Sequence, residues 1–212
     1  MNPELLVEGL ILFVVFIFST TLHEAGHAFA ALKLGDPTAY EGGQVTLNPL
    51  PHIRREPWGM VMVPILYFVL TKGSGLIGWA SAPYDPHWAH HYPKRAAIMA
   101  AAGPAMNLLL VILSGLVIRF ALGDPDSGVT RVVSELFLMN LLLFVFNLLP
   151  LPPLDGSAIL PIFMSDSLAD RYRSVIHQPI FSMVSFLVAW NLFPYIFNPI
   201  QRVAVGLLMA GM

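Results

Sequence analysis

The sequence contains no cysteine. Disulfides and thiolate metal sites are therefore excluded, and any metal must be held by His, Asp or Glu. Charge is scarce as well. Asp, Glu, Lys and Arg make up 11% of the 212 residues, against about 25% in an ordinary soluble domain. No basic run is present and the net charge is -2, so nothing here attracts nucleic acid electrostatically. The start, Met1-Asn2-Pro3-Glu4, carries acid where a secretory signal carries base, and no small-residue cleavage site follows it. Internal repeats and low-complexity tracts are missing too.

What is present is apolar. Hydrophobic residues make up 56% of the chain and mean hydropathy is +0.69, which points to an all-α polytopic membrane protein in contact with the lipid bilayer. One integral-membrane domain, 1–212, fits this length. Pro3 to Leu34 reads as one long spanning helix, stopped near Gly35-Asp36-Pro37. Two further spans are expected over Ala96 to Leu122 and Val132 to Leu149, joined by the turn Gly123 to Gly128. A fourth covers Ile180 to Phe197, leaving a short apolar tail from Pro199. Gly59 to Leu70 holds only a dozen residues and is interrupted by Pro64, too short for about 30 Å of hydrocarbon. It reads as a re-entrant segment. Between Thr38 and Pro57, Gly42-Gly43 signals a turn and Gln44-Val45-Thr46-Leu47 alternates polar and apolar, so a small β-hairpin is expected there. Residues Thr71 to Lys94 read as a Gly/Pro-rich aromatic loop.

Positive charge orients these elements. With the segment re-entrant, Lys33, Arg54, Arg55, Lys72, Lys94, Arg95, Arg171 and Arg173 fall inside, and Arg119, Arg131 and Arg202 outside. The positive-inside rule then puts the N-terminus outside. A full span at Gly59 to Leu70 would erase the bias.

Chemistry concentrates in His23-Glu24-Ala25-Gly26-His27, an H-E-x-x-H pattern inside an otherwise apolar helix. Positions i and i+4 share a helix face, so His23 and His27 can present two imidazoles to one zinc ion, with Glu24 beside them as general base. Zinc held there lowers the pKa of a bound water to roughly 7, and the carboxylate takes its proton during attack on a carbonyl. The plainer alternative is a polar helix end whose side chains reach the interface. Ionisable groups at membrane depth are costly, which favours a functional site. A third ligand is still needed. Asp155 is the candidate, because Pro150-Leu151-Pro152-Pro153-Leu154-Asp155-Gly156 leaves irregular backbone beside an apolar span, tolerated only where it is buried or lines a cavity. An Asp-Gly turn in an aqueous loop is the competing reading.

Three ordered blocks, His23 to His27, Ala102-Gly103-Pro104-Ala105-Met106-Asn107, and Asn147 through Pro150 to Leu154-Asp155-Gly156, resemble the site-2 proteases, intramembrane zinc metalloproteases. Gly35-Asp36-Pro37-Thr38, Leu47-Asn48-Pro49 and Gly78-Trp79-Ala80 resemble the short bacterial branch without a PDZ or other appended domain, and the expected lack of a helix ahead of the metal helix departs from the family core. The resemblance implies zinc on His23, His27 and Asp155, Glu24 as catalytic base, and Asn147 holding substrate or stabilising the oxyanion. It implies support near the site from Gly103-Pro104 and Asn107, the latter grouped with substrate binding. It also implies a membrane-embedded substrate, cleaved in a transmembrane helix or a signal-peptide remnant, and a bacterial inner (plasma) membrane location.

A helical peptide bond is shielded by its own hydrogen bonds, so the substrate must unwind before attack. The expected hairpin at Val45, Thr46 and Leu47 offers strand addition to the unwound segment. A non-proteolytic membrane zinc protein, structural, sensing or transporting, is the alternative function, and Glu24 argues against it. His87, His90 and His91 read as an interfacial belt with Trp88 and Tyr92 rather than a second metal site. His52 and His177 read as solvated or interfacial.

Overall fold

The computed structural model describes residues 3–73, 75–121, 127–176 and 178–210. Four helices are long and apolar enough to cross a membrane. The first, α1 (Pro3–Leu34), has the bounds expected from the sequence. It stops at Gly35, whose φ of 104° suits a residue without a side chain. The others are α6 (Pro93–Phe120), α7 (Gly128–Asn147) and α10 (Pro179–Met209). Ser127 caps α7, accepting a hydrogen bond from the Thr130 amide at 3.1 Å. Residues 123–126 of the expected turn, and His177, lie outside the described residues.

Helix α6 is the hub, packed along both α1 and α7. A core of Val111, Ile118, Phe137, Leu141 and Val145 joins α6 to α7, and Phe193, Ile196 and Phe197 of α10 close over it. Helix α10 corrects the expected boundary. It continues through Pro194 and Pro199 to Met209, so the apolar tail from Pro199 belongs to the same helix. In hydrocarbon an unwound tail would expose unpaired backbone groups, so continuation is favoured even at the cost of two missing amide donors.

The stretch between α1 and α6 holds the other corrections. Among the described residues there is no strand. Where the hairpin was expected, α2 (Thr38–Glu41) and α3 (Pro49–Arg55) are separated by a turn and bends. Asn48 caps α3 by accepting from the Leu50 amide at 3.0 Å, and Pro49 opens the helix. This leaves too few residues for paired strands. Val45, Thr46 and Leu47 thus join two short helices. The Thr46 carbonyl faces His52 Nε2 at 3.1 Å, and His52 is buried rather than solvated.

Trp58–Leu70 is helical, with a π turn over Trp58–Met62 continuing into α4 (Val63–Leu70). Pro64 sits just past the widened turn, where its missing amide does least damage. Thirteen helical residues rise only about 20 Å. Phe68 lies against Gly9 and Gly73 against Leu5, so α4 ends beside the start of α1. The chain then returns without regular structure through 75–85. Gly78 meets Phe16 and Gly59, Trp79 N donates to the Gly59 carbonyl at 3.0 Å, and Asp85 N donates to Asp36 Oδ2 at 2.8 Å. Phe16 and Asp36 lie about 30 Å apart along α1. The seven residues from Gly78 to Asp85 reach at most about 25 Å, so this stretch runs nearly fully extended and the side chains of Phe16 and Asp36 bridge the remainder. The expected loop is therefore an extended segment running beside α1.

Candidate active site

Helix α1 carries His23, Glu24 and His27 about two thirds of the way along its length, nearer the Leu34 end. All three are buried. Between α7 and the short helix α8 (Asp155–Ile159), the proline-rich stretch turns back on itself. A Cβ on Gly156 would run into the Leu148 and Leu149 carbonyls, so only glycine lets α8 press this closely on the end of α7. Asp155, at the first position of α8, is thereby aimed at α1.

The three side chains meet at a point. His23 Nε2 and His27 Nε2 lie 3.0 Å apart, and Asp155 Oδ2 lies 3.1 Å from the first and 3.3 Å from the second. Tetrahedral zinc with bonds near 2.0–2.1 Å separates its ligand atoms by about 3.3 Å. The spacing fits. So does the chemistry of the donors. His27 Nδ1 is 2.8 Å from the Met99 carbonyl, which can only accept, so the ring proton sits on Nδ1 and Nε2 is bare. His23 Nδ1 faces Asn107 Oδ1 in the same sense. Two imidazole nitrogens and a carboxylate oxygen converging at hydrogen-bond distance repel one another unless a metal ion or a proton lies between them, and neutral rings leave both nitrogens free as ligands. Among the described residues this is the one cluster of its kind. Gly103 of α6 faces it directly: a Cβ there would clash with His27 Nε2 and come within 2.6 Å of His23 Nε2.

The cluster opens onto a cavity of about 770 Å³ that also receives Glu24, Asn147, Ala80, Ser81, Tyr84 and Arg173. The Glu24 side chain lines the cavity, where it can meet a molecule bound there. Asn147 lines the wall while its amide nitrogen donates to the Leu143 carbonyl at 3.0 Å. Asn107 departs from the expected substrate-binding role. It is fully buried, with Oδ1 on His23 and Nδ2 donating to Asn140 Oδ1 at 2.8 Å, so it faces the back of the metal ligand and not the cavity. Val45, Thr46 and Leu47 do not line the cavity. The extended segment 80–84 occupies the wall where the hairpin was expected to act.

That segment is pinned at both ends. Ser81 Oγ donates to Glu56 and accepts from Arg55 Nε at 3.3 Å. Asp36 accepts from the Thr38 amide and hydroxyl as well as from Asp85 N. Burial opposes ionisation of Asp36, but these donors prevail and hold its carboxyl below the usual range. Trp88 is buried rather than an exposed anchor. His90 reaches the cavity wall, while His87 and His91 remain exposed and join no metal cluster among the described residues.

Sequence reasoning passed over three contributors: Met99, Asn140 and Ser19. A backbone carbonyl has no residue signature, but Asn140 did carry one, being an amide in the middle of an apolar span.

The sequence is similar to those of known proteins. Residues 123–192 match Peptidase family M50. "Putative zinc metalloprotease YwhC" of Bacillus subtilis is 36% identical over 157 residues, covering 70% of this chain and 67% of that protein. "Putative zinc metalloprotease Rip2" of Mycolicibacterium smegmatis is 37% identical over 143 residues, covering 66% of this chain and 52% of its own length. Its counterpart of the same name in Mycobacterium tuberculosis is 36% identical over 146 residues, covering 68% and 54%. The chain thus spans about half the length of the Rip2 proteins. No solved structure matches.

Proposed function

The chain belongs to peptidase family M50, the site-2 protease family, and from that premise we propose that it is an intramembrane zinc endopeptidase that cuts transmembrane helices or signal-peptide remnants. One observation carries the proposal: two imidazole nitrogens and a carboxylate oxygen within 3.3 Å of one another, buried among apolar spans and adjoined by Glu24. In this reading His23, His27 and Asp155 hold the metal. Zinc supplies Lewis acidity there and makes water nucleophilic near neutral pH. Glu24 takes the proton from the attacking water and passes it to the leaving amine. Asn147 stands on the cavity wall, within the space where a scissile peptide would lie.

The substrate is held by the extended segment. Amide directions alternate along an extended chain. Trp79 N–H points to Gly59, so the N–H groups of Ala80 and Ala82 point the other way, and neither makes a backbone hydrogen bond within the described residues. An unwound substrate segment adding here as a strand recovers hydrogen bonds it gave up on leaving its helix. Trp58–Leu70 with its extended return forms a re-entrant hairpin that starts at the level of Phe16, turns beside the Pro3 end of α1 and returns to Asp36 at the Leu34 end. Lys72, at its tip beside the start of α1, then counts with the outside charges. The split becomes seven inside to four outside, which still favours an outside N-terminus in a bacterial inner membrane. Residues 1–212 are read as one integral-membrane domain.

The test compares wild type with Glu24→Gln in detergent, using a substrate whose transmembrane helix is weakened by Gly or Pro. Cleavage by wild type alone, with equal zinc in both, is expected. Equal cleavage by both would remove Glu24 from the reaction, and bound zinc with cleavage by neither would favour the non-proteolytic zinc protein.

A further inference from the structure

Behind the metal ligands a run of buried amides crosses three helices. Asn140 Nδ2 of α7 donates to the Leu136 carbonyl at 2.8 Å and to Ser19 Oγ of α1 at 2.9 Å. Asn107 Nδ2 of α6 donates to Asn140 Oδ1 at 2.8 Å, and Asn107 Oδ1 meets His23 Nδ1. Ser19, Asn107 and Asn140 are each 0% exposed. We propose that Asn140 is a positioning residue for the metal site: it fixes the direction of this run and so decides which nitrogen of His23 carries the proton. The proposal rests on the zinc-site reading.

The direction begins at a group that cannot be reversed. A backbone carbonyl only accepts, so the Asn140 end facing Leu136 must be its nitrogen, and its oxygen must face Asn107. Asn107 answers with its nitrogen, leaving its oxygen for His23. An oxygen at that position demands a proton on Nδ1 and leaves Nε2 bare for the metal. Without Asn140, Asn107 can rotate half a turn and present its own N–H groups to His23. The imidazole proton then moves to Nε2, into the space the cation needs. His27 has no such dependence, because the Met99 carbonyl fixes it directly. Asn140 touches neither ligand nor cavity, so its influence runs through Asn107 alone.

Zinc affinity, measured by chelator competition on purified protein in detergent, tests this without any proteolysis. Asn140→Leu should weaken zinc binding ten- to hundredfold, the range for loss of an outer partner of a metal-binding His. In an Asn107→Asp background the acceptor facing His23 is a carboxylate and cannot flip. There the same Asn140→Leu change should cost no more than about twofold. Asn140→Ala in both backgrounds provides the comparison if leucine is not accommodated. A merely structural role for Asn140 would weaken zinc equally in both backgrounds, and that result would overturn the proposal. So would unaltered affinity in Asn140→Leu and Asn140→Ala. Wild-type protein that bound no zinc would overturn the metal site itself, a failure distinct from either.

Discussion

At the scale of single residues, the site depends as much on what is missing as on what is present. Gly103 leaves open the space that two imidazoles and a carboxylate share, and the Cβ of any other residue would enter it. Gly103→Ala should therefore reduce zinc affinity at least tenfold while the four spans remain folded. Zinc per protein at equal helix content by circular dichroism measures this, and undiminished zinc would show that α6 can retreat from α1. His23, Glu24 and His27 were legible in the sequence because helical spacing alone puts i and i+4 on one face. Asp155 was legible only as a polar residue after prolines. Its aim depends on α8 pressing against the carbonyls of Leu148 and Leu149, which no local pattern encodes.

Among the elements, the extended segment carries the largest departure from expectation. Val45, Thr46 and Leu47 alternate as a strand does, yet α2 on one side and the Asn48 cap with Pro49 on the other leave that stretch as a bend between two helices. The return chain through Ala80 and Ala82 has the open amides instead, and little in Gly78-Trp79-Ala80-Ser81-Ala82-Pro83 announces an extended conformation. Its extension is imposed by the distance between its attachments at Gly59 and Asp36. Removing one donor tests its role. Ala82→Pro should lower kcat/KM at least tenfold with zinc content unchanged, whereas Ala82→Val, which keeps the N–H, should stay within about threefold. Equal rates for wild type and Ala82→Pro would take the strand-addition idea away from this segment.

For the whole molecule, the placement of Lys72 separates two topologies that the sequence treats alike. With Gly73 against Leu5 and Phe68 against Gly9, Lys72 lies beside the Pro3 end of α1, which the proposed topology puts outside. The natural chain has no cysteine, so Lys72→Cys is a single reporter. An impermeant thiol reagent should label it from the same side as a cysteine at Glu4, and from the opposite side to one at Lys94. Labelling together with Lys94 would mean that the hairpin turns back well short of the outer surface. The cavity geometry agrees with this placement, because the metal cluster and the extended wall both lie toward the Leu34 end of α1.

The sequence by itself determined the membrane class, the four spans and the H-E-x-x-H face. Composition, hydrophobic run length and helical period are local quantities, and the bilayer leaves a long apolar segment little choice but helix. The tertiary structure alone decided the rest: which carboxylate meets the imidazoles, which wall of the cavity carries open backbone amides, and which amide faces His23. These outcomes depend on close approach between α1, α6, α7 and α8. Such approach follows from missing side chains at Gly103 and Gly156 and from buried hydrogen bonds whose partners lie up to 121 residues apart in the chain.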